Sequence, residues 1–206
     1  MNTKHHWESI YERKAPDRVS WYQPHLERSL DFIQGAGLAL DAGIIDVGGG
    51  TSTLVDDLLA RGYTNLTVLD ISASAIEAAK ARLGPRKNMV RWLVADVTEV
   101  KLGPNFYDFW HDRAVFHFLR DAADRGRYVA AVRRAVKPGG HVLVATFGPD
   151  GPERCSDLDV VRYDADRLHE EFGSEFRKVG SLIEMHRTPG GSEQQFVYCY
   201  CRLTAA

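Results

Sequence analysis

The 206-residue chain has a formal net charge of −2, with 44% hydrophobic and 26% charged residues, the balance of an ordinary globular protein. Its length suits one domain, and the absence of a basic surplus argues against DNA or RNA as the main partner. No apolar run approaches the ~20 residues that span a bilayer, and the first residues lack the apolar core of a signal peptide, so we expect a cytoplasmic protein with no membrane partner.

The N-terminal region precedes the first predicted strand and is rich in aromatic residues. Residues 25–35 are predicted to form a helix. The aromatic residues before it favour either a surface helix that covers the sheet or a lid over a bound ligand. We therefore distinguish a helical lid or cover, residues 1–35, from the main body, residues 36–206, within one compact domain. The aromatic residues are Trp7, Tyr11, Trp21 and Tyr22.

From residue 43 onward, predicted strands and helices alternate. The strands are short apolar runs, and the helices carry apolar residues at helical spacing between capping and glycine signals. Because parallel strands need crossover connections, this alternation predicts a parallel sheet with helices on both faces. The predicted strands cover 43–47, 66–70, 89–94, 107–111 and 141–147, and the predicted helices cover 51–62, 72–83 and 121–136.

The C-terminal region has a different pattern. A predicted helix over 164–172 precedes two long strands, 176–186 and 195–203. These strands are joined by Thr188-Pro-Gly-Gly, which is a hairpin signal. The hairpin is expected to add an antiparallel strand to the parallel sheet.

A glycine-rich turn, Gly48-Gly49-Gly50, follows the first strand and precedes a helix. Glycine at such a turn lets the backbone approach a ligand closely. The turn does not fit the dinucleotide-binding pattern G-x-G-x-x-G, because Thr53 stands at the third glycine position, and it lacks the lysine of a P-loop. Asp46 would repel a pyrophosphate, so it argues against a nicotinamide dehydrogenase and favours a cationic ligand.

Two further acids follow predicted strands. Asp70 ends the second strand, where a carboxylate can accept hydrogen bonds from both hydroxyls of a ribose. The alternative is a helix-capping role, which Ser72 already supplies. Asp96 follows the third strand, where it can accept the amino group of an adenine while Val97 contacts the ring.

Four segments, in chain order, resemble the successive motifs of class I S-adenosylmethionine-dependent methyltransferases: Asp46-Val-Gly-Gly-Gly, Val68-Leu-Asp70-Ile, Val94-Ala-Asp96-Val and Lys137-Pro-Gly-Gly-His-Val-Leu-Val. The resemblance covers roughly residues 40–206. It implies a Rossmann-like α/β fold with a seven-stranded sheet, mostly parallel, with a C-terminal antiparallel hairpin strand. It also implies S-adenosylmethionine as cofactor. The expected cofactor-binding residues are Trp21, Asp46, Gly48, Gly50, Thr51, Ser52, Asp70, Ile71, Asp96, Val97 and Asp112.

The segment Trp110-His111-Asp112-Arg113 lies at the end of the fourth predicted strand, where residues that contact the acceptor are expected. It lacks the Asn/Asp-Pro-Pro-Tyr/Phe motif of enzymes that methylate nucleobase amino groups. It resembles instead the thiopurine and small-thiol methyltransferases, which carry a Trp-Asp-Arg-like segment here, and the Gly148-Pro149 loop and Trp21-Tyr22-Gln23 are similar to that branch too. This resemblance implies a small soft acceptor such as sulfide, methanethiol or another thiol.

A thiolate needs little activation once it is held in line with the methyl group. Arg113 could supply positive charge, and Asp112, His117 or His111 could take a proton. His111, within the strand, is expected to be structural, so Asp112, Arg113 and His117 are the predicted catalytic residues. The alternatives are an ion pair between Asp112 and Arg113 and a structural role for His117. The predicted acceptor-binding residues are Trp7, Tyr11, Tyr22, Arg113, Phe116 and Cys155.

The three cysteines fit neither a metal pattern nor a disulfide framework, so no metal site is predicted. Cys155 is either an ordinary loop cysteine or a thiol that contacts the acceptor, and Cys199 and Cys201 share one face of a strand. Three alternatives stay open: methylation of protein lysine, methylation of another small metabolite, and non-catalytic binding of S-adenosylmethionine. We expect a monomer or homodimer.

Overall fold

The structure is a computed structural model that describes residues 3–204. Its helices are α1 (Thr3–Arg13), α2 (Glu27–Gly35), α3 (Leu54–Ala60), α4 (Ala73–Leu83), α5 (Ala122–Ala135) and α6 (Ala165–Glu170). Its strands are β1 (Ile44–Val47), β2 (Leu66–Asp70), β3 (Val90–Val94), β4 (Tyr107–Arg113), β5 (Val136–Phe147), β6 (Arg154–Cys155), β7 (Leu158–Asp159), β8 (Phe176–Arg187) and β9 (Glu193–Leu203). Short 3-10 helices span Pro16–Arg18, Gly84–Met89 and Phe116–Phe118. Within residues 3–204, no helix combines the length and apolar character needed to cross a bilayer.

Seven strands form one sheet in the order β3-β2-β1-β4-β5-β9-β8. The first five are parallel to one another, whereas β9 runs antiparallel to both β5 and β8 and lies between them. The two-residue strands β6 and β7 pair separately. The seven-stranded, mostly parallel sheet with a C-terminal hairpin is therefore confirmed.

The central strands are buried on both faces, as parallel strands covered by helices must be. All residues of β1 and β2 are buried. Two apolar clusters lie on opposite sides of the sheet, and adjacent residues of β4 divide between them, since successive side chains of a strand point to opposite faces. Trp110 packs with Tyr128 and Phe172 in one cluster, and Phe109 belongs to the other.

The N-terminal elements lie on this body. Helix α2 buries Leu30 and Ile33 in the same cluster as Phe109, which confirms the predicted helix near residues 25–35. Helix α1 contacts α4. The aromatic N-terminal segment is thereby brought to the carboxyl ends of the parallel strands.

Several predicted boundaries were wrong. Helix α5 ends at Ala135, so Lys137-Pro-Gly-Gly does not stop a helix but forms an irregular start of β5, where Gly139 has a φ of +77°. Strand β4 continues to Arg113, two residues beyond the prediction, because its partner β5 extends alongside it. Cys155 lies in the short strand β6 rather than in a loop.

Candidate active site

A pocket of about 790 Å³, including solvent at its mouth, opens at the carboxyl ends of β1 to β4. Its place is the edge at which open α/β sheets bind ligands. We call the part formed by the first three strands and the residues after them the cofactor side. Its lining residues are Val47, Gly48, Leu69, Asp70, Ile71, Ala95, Asp96 and Val97.

The glycine turn after β1 requires glycine for two different reasons. Gly48 has a φ of +68°, and a Cβ there would lie 2.1 Å from Cγ2 of Val115. A Cβ at Gly50 would lie 2.6 Å from Oδ2 of Asp70. The Gly50 amide instead donates a hydrogen bond to that oxygen, at 3.0 Å. The turn is thus packed directly against the acid that ends β2.

Asp70 is buried, and backbone amides hold its carboxylate. Oδ1 accepts a hydrogen bond from the Ser72 amide at 2.8 Å, and Oδ2 accepts one from Gly50. Burial raises the pKa of Asp70 to about 7, although these hydrogen bonds oppose the rise; the nearby carboxylates of Asp46 and Glu8 add to it. The carboxylate is thereby fixed where a ribose would lie.

Asp96 lines the same side of the pocket, one residue before the buried Val97. The amide and hydroxyl of Thr98 donate hydrogen bonds to Asp96 Oδ1 at 2.8 and 2.7 Å. These bonds orient the carboxylate beside an apolar surface. The combination suits a flat ring with an amino group at its edge, such as adenine.

A second compartment of about 420 Å³ shares Trp21, Gly48 and Arg113 with the larger pocket. Two of its lining side chains each have a buried atom with no hydrogen-bond partner among the described residues: Oδ2 of Asp46 and Nη2 of Arg113. Leaving such groups unpaired is costly, so the compartment is complementary to a ligand that carries one cationic and one anionic group. The other lining residues are Val19, Tyr22, Gln23, Leu26, Thr51, Ser52 and His111.

The two compartments together fit S-adenosylmethionine. Its adenosine needs hydrogen-bond acceptors for the ribose hydroxyls and the adenine amino group, which Asp70 and Asp96 would supply. Its methionine end carries an ammonium and a carboxylate, which Asp46 and Arg113 would pair with. The chemistry of the unpaired atoms therefore agrees with the ligand that the sequence motifs imply.

The remaining oxygen of Asp46 is held by a buried histidine. His111 Nδ1 lies 2.7 Å from Asp46 Oδ1, and its Nε2 lies 2.8 Å from Ser29 Oγ. His111 is buried, and its imidazole lies between a strand carboxylate and helix α2. These two contacts of His111, with Ser29 and with Asp46, thus fix the orientation of the Asp46 carboxylate and the position of its free Oδ2.

Arg113 stands between the two compartments and is held on three sides. Its Nε donates to Tyr198 Oη at 3.2 Å, its Nη1 donates to the Trp21 carbonyl at 2.9 Å, and its guanidinium lies 4.2 Å above the ring of Phe196. Its side chain is only 4% exposed. The nearest carboxylate oxygen to Nη2, on Glu184, is 4.0 Å away, too far for a hydrogen bond.

Apart from Arg113, Ala114 and Val115 at the end of β4, the rest of the larger pocket forms what we call the acceptor wall: Trp7, Tyr11, Trp21, Phe118, Leu119 and Cys155. The Trp7 ring makes edge contacts with the rings of Trp21 and Phe118, with centroids 5.9 and 5.0 Å apart. Burial raises the pKa of the Cys155 thiol to about 11, and burial followed by the charge of Asp70 raises that of Tyr11 well above its usual value. Both groups are therefore neutral near pH 7.

The structure does not bring Asp112 to the pocket. Its side chain is fully buried, and its carboxylate accepts hydrogen bonds from the Val115 and Phe116 amides and, at 2.6 Å, from the Tyr128 hydroxyl. Burial raises its pKa to about 6, against the effect of these bonds. Asp112 shapes the turn after β4, so the structure does not support its predicted catalytic and cofactor-binding roles.

His117 and Phe116 were also predicted for the site, but they lie in a 3-10 helix that turns both rings into the interior. The Phe147 amide donates to His117 Nδ1 at 3.2 Å, and burial lowers the pKa of His117 to about 3. His117 is thus a neutral, enclosed ring rather than a proton acceptor at the pocket. Tyr22, by contrast, lines the smaller compartment instead of the acceptor wall.

Glu8 is a residue that the sequence analysis missed. Its carboxylate accepts hydrogen bonds from the Ala73 amide at 2.7 Å, the Ser72 hydroxyl at 2.8 Å and the Ser74 amide at 3.0 Å. Burial alone would raise its pKa, but these bonds outweigh burial and lower it to about 2. Glu8 thus attaches α1 to the N-terminus of α4, and no local pattern indicates a partner more than 60 residues away.

Comparisons with known proteins point to the same class of enzyme. A family model described as a methyltransferase domain matches residues 45–144. Human EEF1A lysine methyltransferase 2 is 22% identical over 160 residues, which cover 71% of this chain and 68% of the relative. The malonyl-(acyl-carrier protein) O-methyltransferase of Anoxybacillus flavithermus is 34% identical over 155 residues, which cover 73% of this chain but only 57% of that enzyme.

Solved structures share the fold. An enzyme that converts a disulfide bond into a thioacetal group during echinomycin biosynthesis superposes with a TM-score of 0.78 at 20% identity, covering 98% of this chain and 93% of the other. The Burkholderia thailandensis 1,6-didemethyltoxoflavin-N1-methyltransferase, with bound S-adenosylhomocysteine, gives 0.71 at 20% identity, covering 98% and 84%. Sheet order, cofactor motifs and the methyltransferase-domain match over residues 45–144 lead to one conclusion: the chain is an S-adenosylmethionine-dependent methyltransferase with the Rossmann-like fold of class I.

Proposed function

We propose that this methyltransferase acts on a small soft nucleophile, a thiol or hydrosulfide. The observation that carries the proposal is the composition of the acceptor wall. It is aromatic and apolar, and its titratable members Cys155 and Tyr11 have raised pKa values. An acceptor that enters this space must lose its proton without help from the wall.

The chain's own residues hold the cofactor and arrange the reaction. We assign Asp70 to the ribose, Asp96 and Val97 to the adenine, and Asp46 and Arg113 to the ammonium and carboxylate. S-adenosylmethionine supplies a methyl group bonded to a cationic sulfur, which is already activated. The protein's contribution is therefore positioning, worth up to ~7–11 kcal/mol in model reactions, together with exclusion of water by the aromatic wall.

Thiols fit this wall better than amines. A thiol of the cysteine type has a pKa of about 8.5, so part of it is ionised near neutral pH, whereas a lysine ammonium, with a pKa of about 10.4, needs a base. The thiolate would arrive with its proton already lost to water and gain the methyl group as the bond from that group to the cationic sulfur breaks. A thioether and S-adenosylhomocysteine would then leave.

A second candidate is methylation of a protein lysine. It is favoured by sequence similarity to EEF1A lysine methyltransferase 2, which is 22% identical in the human protein. A lysine side chain would have to enter past Trp7 and Tyr11 and lose a proton in an apolar space. We rank this candidate second, because the residues of the acceptor wall offer no group that would take that proton.

The N-terminal segment is proposed to act as a lid. In the described part of residues 1–35, which begins at residue 3, α1 places Trp7 and Tyr11 over the pocket, and Glu8 ties α1 to α4. A ligand of the size of S-adenosylmethionine would enter when this contact opens. Cytoplasmic location and a monomeric or homodimeric state stay predictions.

The proposed function can be tested by measuring S-adenosylhomocysteine release with hydrosulfide, methanethiol, larger thiols and cell-lysate protein as acceptors. We expect turnover with small thiols and production of volatile methyl sulfides. The Asp70→Asn variant, whose cofactor site is impaired, provides the negative control. Methyl label entering lysate protein, with no thiol turnover, would favour the lysine candidate; tight cofactor binding without any turnover would favour a non-catalytic role.

A further inference from the structure

The C-terminal hairpin reaches the cofactor site through one pair of side chains. The Tyr198 hydroxyl of β9 accepts a hydrogen bond from Arg113 Nε at 3.2 Å and donates one to Glu184 Oε2, on β8, at 2.8 Å. Burial raises the pKa of Tyr198 to about 12, so the hydroxyl keeps its proton. Buried Arg113 and Tyr198 and the partly buried Glu184 thus form a continuous hydrogen-bonded chain from strand β4 to the edge of the sheet.

The same part of β8 also holds the N-terminal segment. Gln23 Nε2 donates to Glu184 Oε1 at 3.3 Å and lies 3.0 Å from His186 Nδ1. His186 Nε2 lies 2.7 Å from the Ser20 carbonyl oxygen, which can only accept, so Nε2 carries the proton and Nδ1 accepts from Gln23. Residues 20–23 are therefore fastened to the hairpin on both sides of Trp21.

These contacts leave Arg113 with a defined orientation. Its Nε is bonded to Tyr198, its Nη1 to the Trp21 carbonyl, and its guanidinium plane rests on Phe196. Among the described residues, only Nη2 of this guanidinium has no hydrogen-bond partner. A buried guanidinium is a strong carboxylate receptor when its fork is held in place, because less conformational freedom is lost on binding.

We propose that Tyr198 and Glu184 are positioning residues: they orient Arg113 toward the carboxylate of the methionine end of S-adenosylmethionine and, with Gln23, assemble the Trp21 segment around it. The proposal rests on the assignment of Arg113 to that carboxylate, made under the proposed function. It does not depend on which acceptor is methylated.

The test uses two ligands that differ at the relevant end. S-adenosylhomocysteine carries the amino-acid group, whereas 5′-methylthioadenosine has the same adenosine and thioether but no amino-acid group. Calorimetry with the Tyr198→Phe variant should show about 10-fold weaker binding of S-adenosylhomocysteine, as expected for a loosened charge-assisted hydrogen bond. Binding of 5′-methylthioadenosine should change less than about twofold, within the variation of a surface substitution.

Tyr200→Phe is the matched control. Tyr200 lies on the same face of β9, two residues away, and its hydroxyl bonds to His141 rather than to Arg113. This variant should bind both ligands like the wild type. Glu184→Ala should repeat the Tyr198→Phe pattern, with thermal melting to verify folding.

Two results would overturn the proposal. Unchanged binding of S-adenosylhomocysteine by both variants would remove the hairpin from cofactor recognition, and equal loss of both ligands would indicate a general structural role. The Arg113→Ala variant tests the underlying assignment separately. It should weaken binding of S-adenosylhomocysteine but not of 5′-methylthioadenosine, and adding Tyr198→Phe to it should cause little further loss of affinity. Absence of thiol turnover would contradict the proposed acceptor while leaving this binding pattern intact.

Discussion

The cofactor side and the acceptor wall of the same pocket are built in different ways. The cofactor side comes from consecutive strand ends and turns within residues 47–97, and backbone amides hold its key carboxylate, Asp70. The acceptor wall combines α1, the Trp21 segment, residues after β4 and Cys155. The cofactor side, which binds the ligand common to the class, is thus built from local strand-turn-helix geometry. The acceptor wall, which is expected to select the acceptor, is built from segments that are distant in the sequence.

The largest effect should come from the cofactor side. Asp70→Asn should weaken S-adenosylhomocysteine binding by about 100-fold at pH 8, because it replaces a charged acceptor of ribose hydrogen bonds with a neutral amide. The pKa of Asp70, raised to about 7 by burial, also gives a direction for pH dependence. Wild-type affinity should rise as pH increases from about 6 to 8, since the ribose hydroxyls donate hydrogen bonds to the ionised carboxylate and binding then releases a proton.

Calorimetry in buffers of different ionisation enthalpy would measure both affinity and proton release. Asp70→Asn should show no such pH dependence, and Asp31→Asn, an exposed helix residue, should behave like the wild type. Because Asp70 also binds the Gly50 and Ser72 amides, melting temperatures are needed to separate binding from folding. Unchanged affinity in a folded Asp70→Asn protein would remove this residue from the cofactor side.

A smaller effect, confined to the acceptor, should follow from Trp7→Ala. Losing this ring opens the acceptor wall, so kcat/KM for a thiol should fall by about 10-fold, while S-adenosylhomocysteine affinity changes little. Trp92→Ala is the control, since Trp92 lies on β3 outside the pocket and bonds to the Lys87 carbonyl. Equal losses of cofactor affinity and acceptor turnover would contradict the assignment of Trp7 to the acceptor wall alone.

The smallest effect should come from Glu8→Gln, which weakens the contact that joins the two sides. Dissociation of S-adenosylhomocysteine, followed by stopped-flow fluorescence of the tryptophans, should accelerate a few-fold as α1 opens more often. Glu12→Gln, on the same helix but exposed, should leave the rate unchanged.

Thermal melting supplies a second measure of the Glu8 contact. The pKa of Glu8 falls from 4.5 to about 2 on folding, so its contribution to stability is present above pH 4.5 and is lost as pH falls toward 2. The melting-temperature difference between wild type and Glu8→Gln should therefore shrink over that range. A difference that stays constant with pH would contradict the carboxylate contact.

The features that depend on neighbouring residues could be predicted from the sequence. The glycine turn, Asp46, Asp70 and Asp96 were all predicted at strand ends, and the structure places them around the two compartments. The alternation of strands and helices and the terminal hairpin predicted the sheet correctly. These features follow from backbone conformation and hydrophobic spacing within short segments, which a sequence displays directly.

Which polar side chains reach the pocket is visible only in the tertiary structure. Asp112 and Arg113 are adjacent in sequence, yet Asp112 binds the Val115 and Phe116 amides in the interior whereas Arg113 lies between the compartments. Glu8 and Tyr198 contact partners 64 and 85 residues away, at α4 and Arg113. Such contacts depend on how whole elements pack, because burial and the pairing of polar groups are settled only when distant segments meet.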